Sequence, residues 1–499
     1  MKTTRFGLAC LALISFIAGC AVPGTRVSGG DKQTSPYSQS ETASTTAFAE
    51  GQTIAVVTYN DGTDPANKVA YTATTRVISS GASLMGWSYS TDFGASWVYG
   101  GRVNPPSGWA VLWGDPAITT SRKSYATVFI SALAIPNSKM PAAGISGSVI
   151  VTGANSYIGG ACIARSTDGG KNFSNYQCVS NTEKNNTPES EKGHFYDGGS
   201  MAAGEDGAIY AGFVDVTESA IAIWRAADHN SKFVKIGNPF PGIDIFAHPR
   251  LRASPFDSSL YVAGQSSNGQ VFIDRFQNGN WGSPISVGFG AVYPCIPLEQ
   301  DACESSTKLQ VRTGPQFSYD IGAQEHSAQD AIRFLITHRD QATGRLHLIS
   351  RSCDLALVSC QSWIGTPDWG TPASKEFPID YFNPLVRAWR GFIGLPPVWM
   401  SSYNYRYGLP ASGIYVSRAL LAYLPSGDRI WFPVDAYKNM PVCSDLRGYW
   451  GDYDDLTLLT FKDSTPQWLR TVSDSTAACA TRWQYSSDPL NVRALVFPK

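Results

Sequence analysis

The sequence has little charge, little histidine and no long helical pattern. Charged residues make up 16% of its 499 residues, and Lys+Arg 39 against Asp+Glu 40 gives a net charge of −1. No basic run and no basic-aromatic stripe occurs, so the chain lacks the electrostatic footprint of a nucleic-acid-binding protein. We therefore expect no nucleic-acid partner. Because no long stretch repeats with the 3.6-residue period of an amphipathic helix, a helical fold is also excluded.

Metal-binding patterns are equally scarce. The chain has six His and no Cys-x-x-Cys, so we expect neither a cysteine-bound metal nor a cofactor. Asp452-Tyr453-Asp454-Asp455 offers alternating carboxylates that would suit Ca²⁺. The run lacks the 12-residue EF-hand pattern, however, and the preferred interpretation is the solvated start of a strand.

Short apolar runs rich in Val, Ile, Tyr, Phe and Trp fill the rest of the chain. They are bounded by Gly, Asn, Asp and Pro, with 47 Gly and 30 Pro in all. Such runs indicate strands joined by turns, and the predicted fold class is all-β.

An extended run followed by a turn and an apolar strand recurs along the chain. The copies lie on average about 68 residues apart, the size of one four-stranded blade with its loops. This predicts a single β-propeller over residues 36–499, with seven blades favoured and six or eight as alternatives. The copies start at Glu41, Asp115, Asp197, His248, Gln316, Asn383 and Asp452.

A second pattern, Ser-x-Asp-x-Gly-x-x-aromatic, occurs twice. Asp can accept nearby backbone N–H groups, Gly supplies a positive φ, and the aromatic residue packs beneath the turn, so each copy predicts a hairpin. The matching residues are Ser90, Asp92, Gly94 and Trp97 in the first copy and Ser166, Asp168, Gly170 and Phe173 in the second.

This pattern resembles the Asp-box, or BNR repeat, of sialidases and related β-propellers. The resemblance implies a sialidase-like propeller in which the Asp-boxes mark blade hairpins and not an active site. Sialidases bind the substrate carboxylate with three arginines and use an Asp general acid and a Tyr nucleophile activated by Glu. They also carry an Arg-Ile-Pro segment near the first blade, which this chain lacks.

Departures from the repeat single out candidate ligand-binding residues. His248 replaces a carboxylate or amide, and Arg250 and Arg252 follow at a spacing of two, so both guanidiniums project from one face of a strand. Arg387 occupies the place in the sixth copy that Arg252 has in the fourth. Planar, bidentate recognition suits arginine to a carboxylate ligand. The alternative is that these arginines pair with carboxylates and stabilise blade packing.

The seven repeat starts are predicted to begin the innermost strands and to form a polar ring near one mouth of the channel. The preferred interpretation of the ring is structural, because Asp and Asn favour local backbone hydrogen bonds. In a glycosidase, the acidic groups would come from Asp115, Asp197 and Asp452. The polar loop Thr182–Phe195 is either a binding loop or a tolerated insertion.

The N-terminus predicts export. A basic start and an apolar run precede Ile17-Ala18-Gly19-Cys20, which resembles a bacterial lipobox, so residues 1–19 are interpreted as a lipoprotein signal peptide. Cys20 would carry the lipid, and residues 20–35 would form a flexible tether. Because no Asp follows Cys20, we expect the outer membrane, with the propeller on its periplasmic side or at the cell surface.

The remaining cysteines agree with an oxidising compartment. Eight are left after Cys10 and Cys20 are set aside, and neighbour pairing is favoured among the 105 connectivities that eight cysteines allow. The predicted disulfides are Cys162–Cys178, Cys295–Cys303, Cys353–Cys360 and Cys443–Cys479.

The functional hypothesis is a membrane-anchored propeller that binds a glycan or a protein at the cell envelope and is not catalytic. The alternative is a glycoside hydrolase, such as an exo-sialidase, with its site at the channel mouth. Arginines that meet an unpaired carboxyl and a Tyr would favour the enzyme, whereas salt-bridged arginines would favour the binding module.

Overall fold

A computed structural model gives the fold of the chain, and its described residues contain strands and turns but no α-helix. Accordingly, no helix among them has the length and apolar character needed to cross a membrane. The described residues are 25–27, 39–61, 69–71, 76–79, 81–137, 148–151, 159–180, 196–216, 218–245, 249–290, 311–312, 317–323, 330–339, 346–362, 379–389, 398–409, 413–423, 429–433, 440–442, 448–449, 455–459, 467–474 and 491–497.

Strands in the first third of the chain follow the apolar runs of the sequence. Glu50 and Gly51, both at positive φ, form the turn between the first two long strands. The run VFISALAIP is buried at every position, as expected of a strand that is covered on both faces. The strands are β1 (Thr25–Arg26), β2 (Gln39–Ala49), β3 (Gln52–Asp61), β4 (Val69–Tyr71), β5 (Arg76–Ser79), β6 (Met85–Ser90), β7 (Val98–Arg102), β8 (Trp109–Thr120), β9 (Val128–Pro136), β10 (Ser148–Val151), β11 (Gly160–Ser166) and β12 (Ser174–Ser180).

The middle of the chain has shorter strands and tighter turns. Asn278 and Gly279 both adopt positive φ (53° and 84°), which is the conformation of a two-residue hairpin. The strands are β13 (Tyr196–Ala203), β14 (Ile209–Asp215), β15 (Ala220–Ala226), β16 (Val234–Gly237), β17 (Arg250–Ala253), β18 (Leu260–Gln265), β19 (Gln270–Gln277), β20 (Asn280–Trp281) and β21 (Ile285–Phe289).

The last third contains long strands next to very short ones. The strands are β22 (Val311–Arg312), β23 (Phe317–Ala323), β24 (Asp330–Arg339), β25 (Leu346–Asp354), β26 (Cys360–Ser362), β27 (Ile379–Trp389), β28 (Val398–Leu409), β29 (Gly413–Tyr423), β30 (Arg429–Pro433), β31 (Met440–Val442), β32 (Gly448–Tyr449), β33 (Asp455–Leu458), β34 (Trp468–Asp474) and β35 (Asn491–Phe497).

Strands that follow one another in the chain lie side by side in antiparallel sheets of four or five strands. Within the described residues these sheets are sheet 1 (β2-β3-β6-β7), sheet 2 (β8-β9-β11-β12), sheet 3 (β13-β14-β15-β16), sheet 4 (β17-β18-β19-β20, with β21 on β19), sheet 5 (β23-β24-β25-β26), sheet 6 (β27-β28-β29-β30, with β31 on β29) and sheet 7 (β33-β34-β35-β1).

The first strands of these sheets contact one another in order. β2 contacts β8, β8 contacts β13, and the series continues through β17, β23, β27 and β33, which contacts β2 again. A closed circle of first strands, with later strands further out, is the arrangement of a β-propeller. The predicted all-β propeller architecture is therefore consistent with the structure.

Sheet 7 takes its outermost strand from the beginning of the chain. Thr25 pairs with Ala494 and Arg26 with Arg493, so β1 is an antiparallel neighbour of β35. Val27 is buried in an apolar cluster with Leu469 and Val496. Residues 25–27 lie inside the segment predicted to be a flexible tether, and for them that prediction is wrong because backbone pairing and burial hold them in sheet 7.

Apolar clusters join neighbouring sheets. Phe129 and Leu133 of sheet 2 share one cluster with Phe213 of sheet 3, and Ile223 of sheet 3 shares another with Val262 of sheet 4. Burying such side chains supplies the main favourable free energy of folding, since each contributes roughly 1.5–3 kcal/mol. The core is thus divided among the sheet interfaces.

Two smaller sheets lie outside the main series. β5 pairs with β4 and with β10, so insertions from sheets 1 and 2 form one three-stranded sheet. β22 and β32, which precede sheets 5 and 7, pair in parallel. Both small sheets are built from segments that connect the second and third strands of a sheet or lead into the next one.

Both Asp-box hairpins form as predicted, between β6 and β7 and between β11 and β12. In the first, the Ser90 hydroxyl donates to Asp92 Oδ1 (2.7 Å) and accepts from the Gly94 N–H (2.8 Å). The Ser96 N–H and hydroxyl both donate to the Asp92 carboxylate. Although burial opposes it, this set of hydrogen bonds lowers the pKa of Asp92. The second copy repeats the same bonds around Asp168.

Two further hairpins use an Asp in the same place, although the sequence pattern missed them. Asp228, between β15 and β16, accepts from the N–H groups of Asn230 and Ser231. Asp354, at the end of β25, accepts from the N–H groups of Val358 and Ser359. Neither has the Gly of the motif, because Asp alone supplies the acceptor that these turns need.

The Asp-box hairpins and the turns between first and second strands lie at the same end of the sheets. In sheet 1, Ser90 pairs with Ala55 near the turn that joins Ala49 to Gln52. We name this end the Asp-box face, and the opposite end, where the chain enters each first strand, the entry face.

Two of the four predicted disulfides lie in the described residues, and both are confirmed. Cys162 and Cys178 are directly opposite each other on β11 and β12, and Cys353 and Cys360 on β25 and β26. Each bridge therefore links the third and fourth strands of one sheet. The other four cysteines, like Cys20, lie outside the described residues.

Candidate functional site

Arg252 and Asp320 link sheets 4 and 5 near the axis of the fold. Arg252 is on β17 and Asp320 on β23, both first strands, and Arg252 Nε lies 3.4 Å from Asp320 Oδ1. Arg252 Nη1 also donates to the carbonyl of Leu251 at 2.7 Å. The two side chains are 20% and 17% exposed. The guanidinium is thus held by an ion pair and by its own backbone.

Arg387 and Asp455 form the corresponding pair between sheets 6 and 7. Arg387 Nη2 lies 2.7 Å from Asp455 Oδ1, and Nη1 donates to the carbonyl of Val386 at 2.9 Å. Asp455 Oδ2 accepts from the N–H and the hydroxyl of Ser44, at 2.7 and 3.0 Å. One carboxylate on β33 therefore connects sheets 6, 7 and 1.

The two pairs use the same arrangement of groups. Asp320 Oδ2 accepts the N–H of Ala388 on the following sheet at 2.8 Å, as Asp455 accepts that of Ser44. The Ser318 hydroxyl also accepts a hydrogen bond from the following sheet, from the N–H of Val386. A sequence separation of 68 residues is shared by this bond, the Ala388–Asp320 bond and the Arg387–Asp455 pair. This separation equals the predicted repeat length, so the contacts join equivalent positions of successive sheets.

The charges in this cluster influence one another. Burial and the neighbouring Arg252 lower the pKa of Arg387 to about 10, against the opposing effect of Asp455 and Asp320, and Arg250 adds to the lowering. Arg387 stays protonated at neutral pH because a pKa of about 10 is still well above 7. The structure therefore brings together three of the predicted ligand-binding residues, Arg250, Arg252 and Arg387. Their guanidiniums and the paired carboxylates give donors and acceptors suited to a ligand rich in hydroxyl groups.

The cluster also contains a buried tyrosine. The hydroxyl of Tyr319 on β23 lies 2.7 Å from the carbonyl of Tyr261 and 3.0 Å from that of Arg250. Burial raises the pKa of Tyr319 far above its ordinary value. The phenol thus stays neutral and donates to backbone carbonyls, which leaves it a structural donor between sheets 4 and 5.

Four of the seven repeat starts lie at β-bulges between the first and second strands. Register shifts occur at or beside Glu41 in sheet 1, Asp115 in sheet 2, Asp197 in sheet 3 and Asn383 in sheet 6. Asp197 is the second residue of β13 and Glu41 the third of β2, close to the predicted strand starts, whereas for Asp115 and Asn383 the prediction is wrong because they lie in the interior of β8 and β27. A bulge bends a strand and increases its twist, which gives the recurring position a structural use.

Asp115 and Asp197 show how the bulges are held. Asp115 has a positive φ of 51°, and its N–H donates to Asn60 Oδ1 of sheet 1 at 2.8 Å. Asp197 Oδ1 accepts the N–H of Gly198, which also has a positive φ. Both residues take part in fixing backbone geometry, and their proposed catalytic use stays a prediction.

Other predicted site residues lie outside the described residues. They include His248, Gln316, Asp452 and the loop Thr182–Phe195. Within the part of the chain that the structure describes, no three His, Cys, Asp or Glu side chains come together as a metal site would require.

Asp320 and Asp455 were not singled out as partners of the arginines, although Asp455 belongs to the acidic run considered for Ca²⁺. Each partner lies in the next repeat, and a pairwise contact of that kind leaves no local motif. A signal was present nevertheless, because Asp320 and Asp455 each follow an arginine of the candidate set by 68 residues.

A buried carboxylate lies apart from this cluster, on β19 of sheet 4. Asp274 is 1% exposed and lies on the same face of its strand as Phe272 and Phe276, which pack at the interface with sheet 3. Oδ1 accepts the N–H of Arg275 at 2.7 Å, whereas Oδ2 is buried without a hydrogen bond in the described residues. Burial raises the pKa of Asp274 to about 6, so this group titrates just below neutral pH.

The fold and its first-strand cluster define an all-β protein of propeller type. No family model matches the sequence, and no curated protein matches it either. Solved structures with a similar arrangement exist, at low identity.

One similar structure is a protein of unknown function from Dyadobacter fermentans, at 12% identity and a TM-score of 0.42, covering 81% of this chain and 98% of the other. Another is the intramolecular trans-sialidase of Ruminococcus gnavus, at 12% identity and a TM-score of 0.42, covering 77% and 92%. A third is the six-bladed fucose-binding lectin of Aleuria aurantia, at 10% identity and a TM-score of 0.36, covering 80% and 97%. Similarities of this size assign neither a family nor a ligand.

Proposed function

We propose that this protein is a non-catalytic module of the cell envelope that binds a glycan near the axis of the fold, at the first strands of its sheets. The proposal rests on one observation, the pairing of the arginines with carboxylates. Arg252 and Arg387 are both engaged by carboxylates from the next sheet. Such pairs present fixed donors and acceptors, whereas catalysis by a glycosidase requires carboxyl groups placed on either side of a scissile bond.

We also propose a propeller of seven blades, each formed by one of sheets 1 to 7. Support comes from the closed series of contacts between their first strands and from the separation of 68 residues that joins equivalent positions. The strand β1 would then close the ring by completing the last blade.

Export as a lipoprotein anchored through Cys20 completes the proposal. It rests on the Ile-Ala-Gly-Cys junction and on the disulfides, which suit an oxidising compartment. Radiolabelled palmitate should be incorporated by the native chain and not by Cys20→Ala. Labelling of the variant at the native level would reject the anchor.

The second candidate function is a glycoside hydrolase with its site at the same place. The clustering of Arg250, Arg252 and Arg387 favours it, because grouped arginines suit an acidic sugar. Tyr319 does not support it, since its hydroxyl is buried and bound to backbone carbonyls.

Binding and hydrolysis can be tested on one preparation. Purified protein should bind members of a glycan array and leave fluorogenic sialosides and arabinofuranosides intact. Arg387→Ala should abolish glycan binding, while Arg275→Ala serves as the matched control because Arg275 also lies 2.7 Å from an aspartate, Asp257, but on the third strand of its sheet and away from the axis. Turnover in the common enzymatic range of about 1–10³ s⁻¹ would reject the non-catalytic proposal. Equal loss of binding in both variants would reject the site.

A further inference from the structure

The direction of β1 determines the side from which the N-terminal segment reaches the propeller. Since β1 runs antiparallel to β35, Thr25 is at the end of β1 that lies nearer to Phe497, which pairs with Trp468. Trp468 in turn pairs with Leu458 at the end of the first strand of sheet 7. The end of a first strand belongs to the Asp-box face, so the chain enters β1 from that face.

The distance available to a lipid at Cys20 is short. Cys20 precedes Thr25 by five Cα–Cα steps, and an extended chain of this length spans at most about 17 Å. A tether of this length keeps the Asp-box face close to the membrane, because the attachment point β1 is fixed by pairing with β35.

The Asp-box face carries exposed apolar side chains at its turns. Phe93 at an Asp-box tip is 45% exposed, Phe256 between β17 and β18 is 36% exposed, and Val358 in the turn before β26 is 82% exposed. Phe48, beside the turn from β2 to β3, is 41% exposed. Apolar tips on separate turns of one face are typical of shallow contact with a lipid surface.

Phe93 also has an unfavourable backbone for an aromatic residue. Its φ is +56°, and the second Asp-box has Gly169 at the corresponding position, with φ +79°. Non-glycine residues rarely adopt this region. A phenylalanine kept there and turned outward gains little from the fold, which points to a use at the surface.

Two pairs of opposite charges lie on this face. Lys171 lies 2.6 Å from Glu50, and Arg275 lies 2.7 Å from Asp257. Paired charges lower the cost of bringing a surface close to lipid headgroups, because each group keeps a partner when water is displaced.

From these observations we infer that the Asp-box face lies against the membrane, with Phe93 and Phe256 inserted at the headgroup level and the entry face turned away. The inference rests on the proposed anchor at Cys20 and adds an orientation to it.

Spin labels can test the orientation in the lipidated full chain. Phe93→Cys and Phe256→Cys place a nitroxide on the Asp-box face, and Val216→Cys and Phe289→Cys are matched controls. Both control residues are exposed apolar side chains, in or near turns that follow a second strand, at the entry face. Vesicles of phosphatidylethanolamine and phosphatidylglycerol provide the membrane. The measured quantity is the ratio of collisions with oxygen to collisions with a water-soluble nickel chelate. We expect this ratio to be several-fold higher for labels at 93 and 256 than for the control labels.

The outcomes separate the orientation from the anchor. A chain without lipid at Cys20 rejects the anchor, and this is read from the palmitate label before any spectrum is recorded. A lipidated chain with all four labels in water rejects the orientation alone. Labels 93 and 256 shielded from both collision reagents would also reject it, in favour of a protein partner on this face. Circular dichroism of each variant checks that the fold is kept.

Discussion

The interface between sheets 2 and 3 differs from the contacts that link sheets 4 to 7 near the axis. Sheets 2 and 3 meet through buried apolar side chains, among them Phe129, Leu133 and Phe213. Sheets 4 and 5, and sheets 6 and 7, add an arginine-aspartate pair between their first strands. The first kind of contact is non-directional, whereas the second fixes which residues face each other.

This difference bears on the interpretation of the arginines. Replacing a partly buried ion pair by apolar groups often costs little, whereas removing one partner is costly because the other charge stays behind. The Arg–Asp pairs therefore specify the register of neighbouring sheets more than they stabilise the fold. Groups held in this way are also preorganised for a ligand.

A substitution in the apolar interface between sheets 2 and 3 should lower the free energy of unfolding most. Phe213 is fully buried and stacks on Tyr196 with ring centroids 5.9 Å apart. Phe213→Ala should lower the free energy of unfolding by about 3–5 kcal/mol, through lost burial and the cavity left behind. Urea unfolding followed by tryptophan fluorescence measures this. Val358→Ala is the control, since Val358 is exposed and should change little; comparable losses in both variants would contradict the assigned core.

Breaking the ion pair between sheets 6 and 7 should have the next largest effect on the free energy of unfolding. Asp455→Asn removes the charge that faces Arg387 and should cost about 2–4 kcal/mol, because the guanidinium stays largely buried. Urea is the denaturant of choice, since guanidinium chloride would screen the charges. Asp257→Asn breaks a more exposed pair with Arg275 and should cost no more than about 1 kcal/mol.

A double-mutant cycle makes the same comparison sharper. If Asp455→Asn acts through Arg387, adding Arg387→Met should restore at least half of the lost stability. Additive losses would mean that Asp455 stabilises the protein chiefly through its bonds to Ser44.

Local patterns in the sequence were sufficient for the turns and the strand repeat. The Asp-boxes predicted two hairpins because all their hydrogen bonds lie within seven residues, and the two disulfides join adjacent strands at sequence separations of 16 and 7. The repeat spacing of about 68 residues reappeared as the separation of contacts between equivalent positions.

Features that depend on other parts of the chain could not be predicted in this way. The bulge at Asp115 was placed at a strand start, because a register shift is set by the partner strand and not by the local pattern. Likewise, residues 25–27 have a composition typical of a tether, and only their pairing with β35, more than 460 residues away, makes them a strand.

Asp274 offers a pH test within an otherwise apolar interface. Its pKa rises from 3.8 to about 6 through burial, so the folded state holds the proton more tightly than the unfolded chain does. Stability should therefore fall as the pH rises from about 4 to 6 and stay lowered above that range. Asp274→Asn should gain about 1–3 kcal/mol at pH 8 relative to the native chain, and nearly nothing at pH 3. A gain of equal size at both pH values would show that charge is not the cause.

The smallest expected effect concerns the Asp-boxes, which hold turns and not interfaces. Asp168 accepts hydrogen bonds from the N–H groups of Lys171 and Asn172 and from the Ser166 hydroxyl. Asp168→Ala should cost about 1 kcal/mol, since a turn acceptor is lost while its donors at the surface can turn to water. Although burial opposes it, these bonds lower the pKa of Asp168, so the contribution is present above pH 4 and disappears as the pH falls through the folded-state pKa. Asp92→Ala, at the more solvent-accessible copy, should cost no more than Asp168→Ala. A loss as large as that of Phe213→Ala in either Asp-box would mean that the turn supports the packing of neighbouring sheets, and the contrast between directional and apolar contacts would then have to include the Asp-box face.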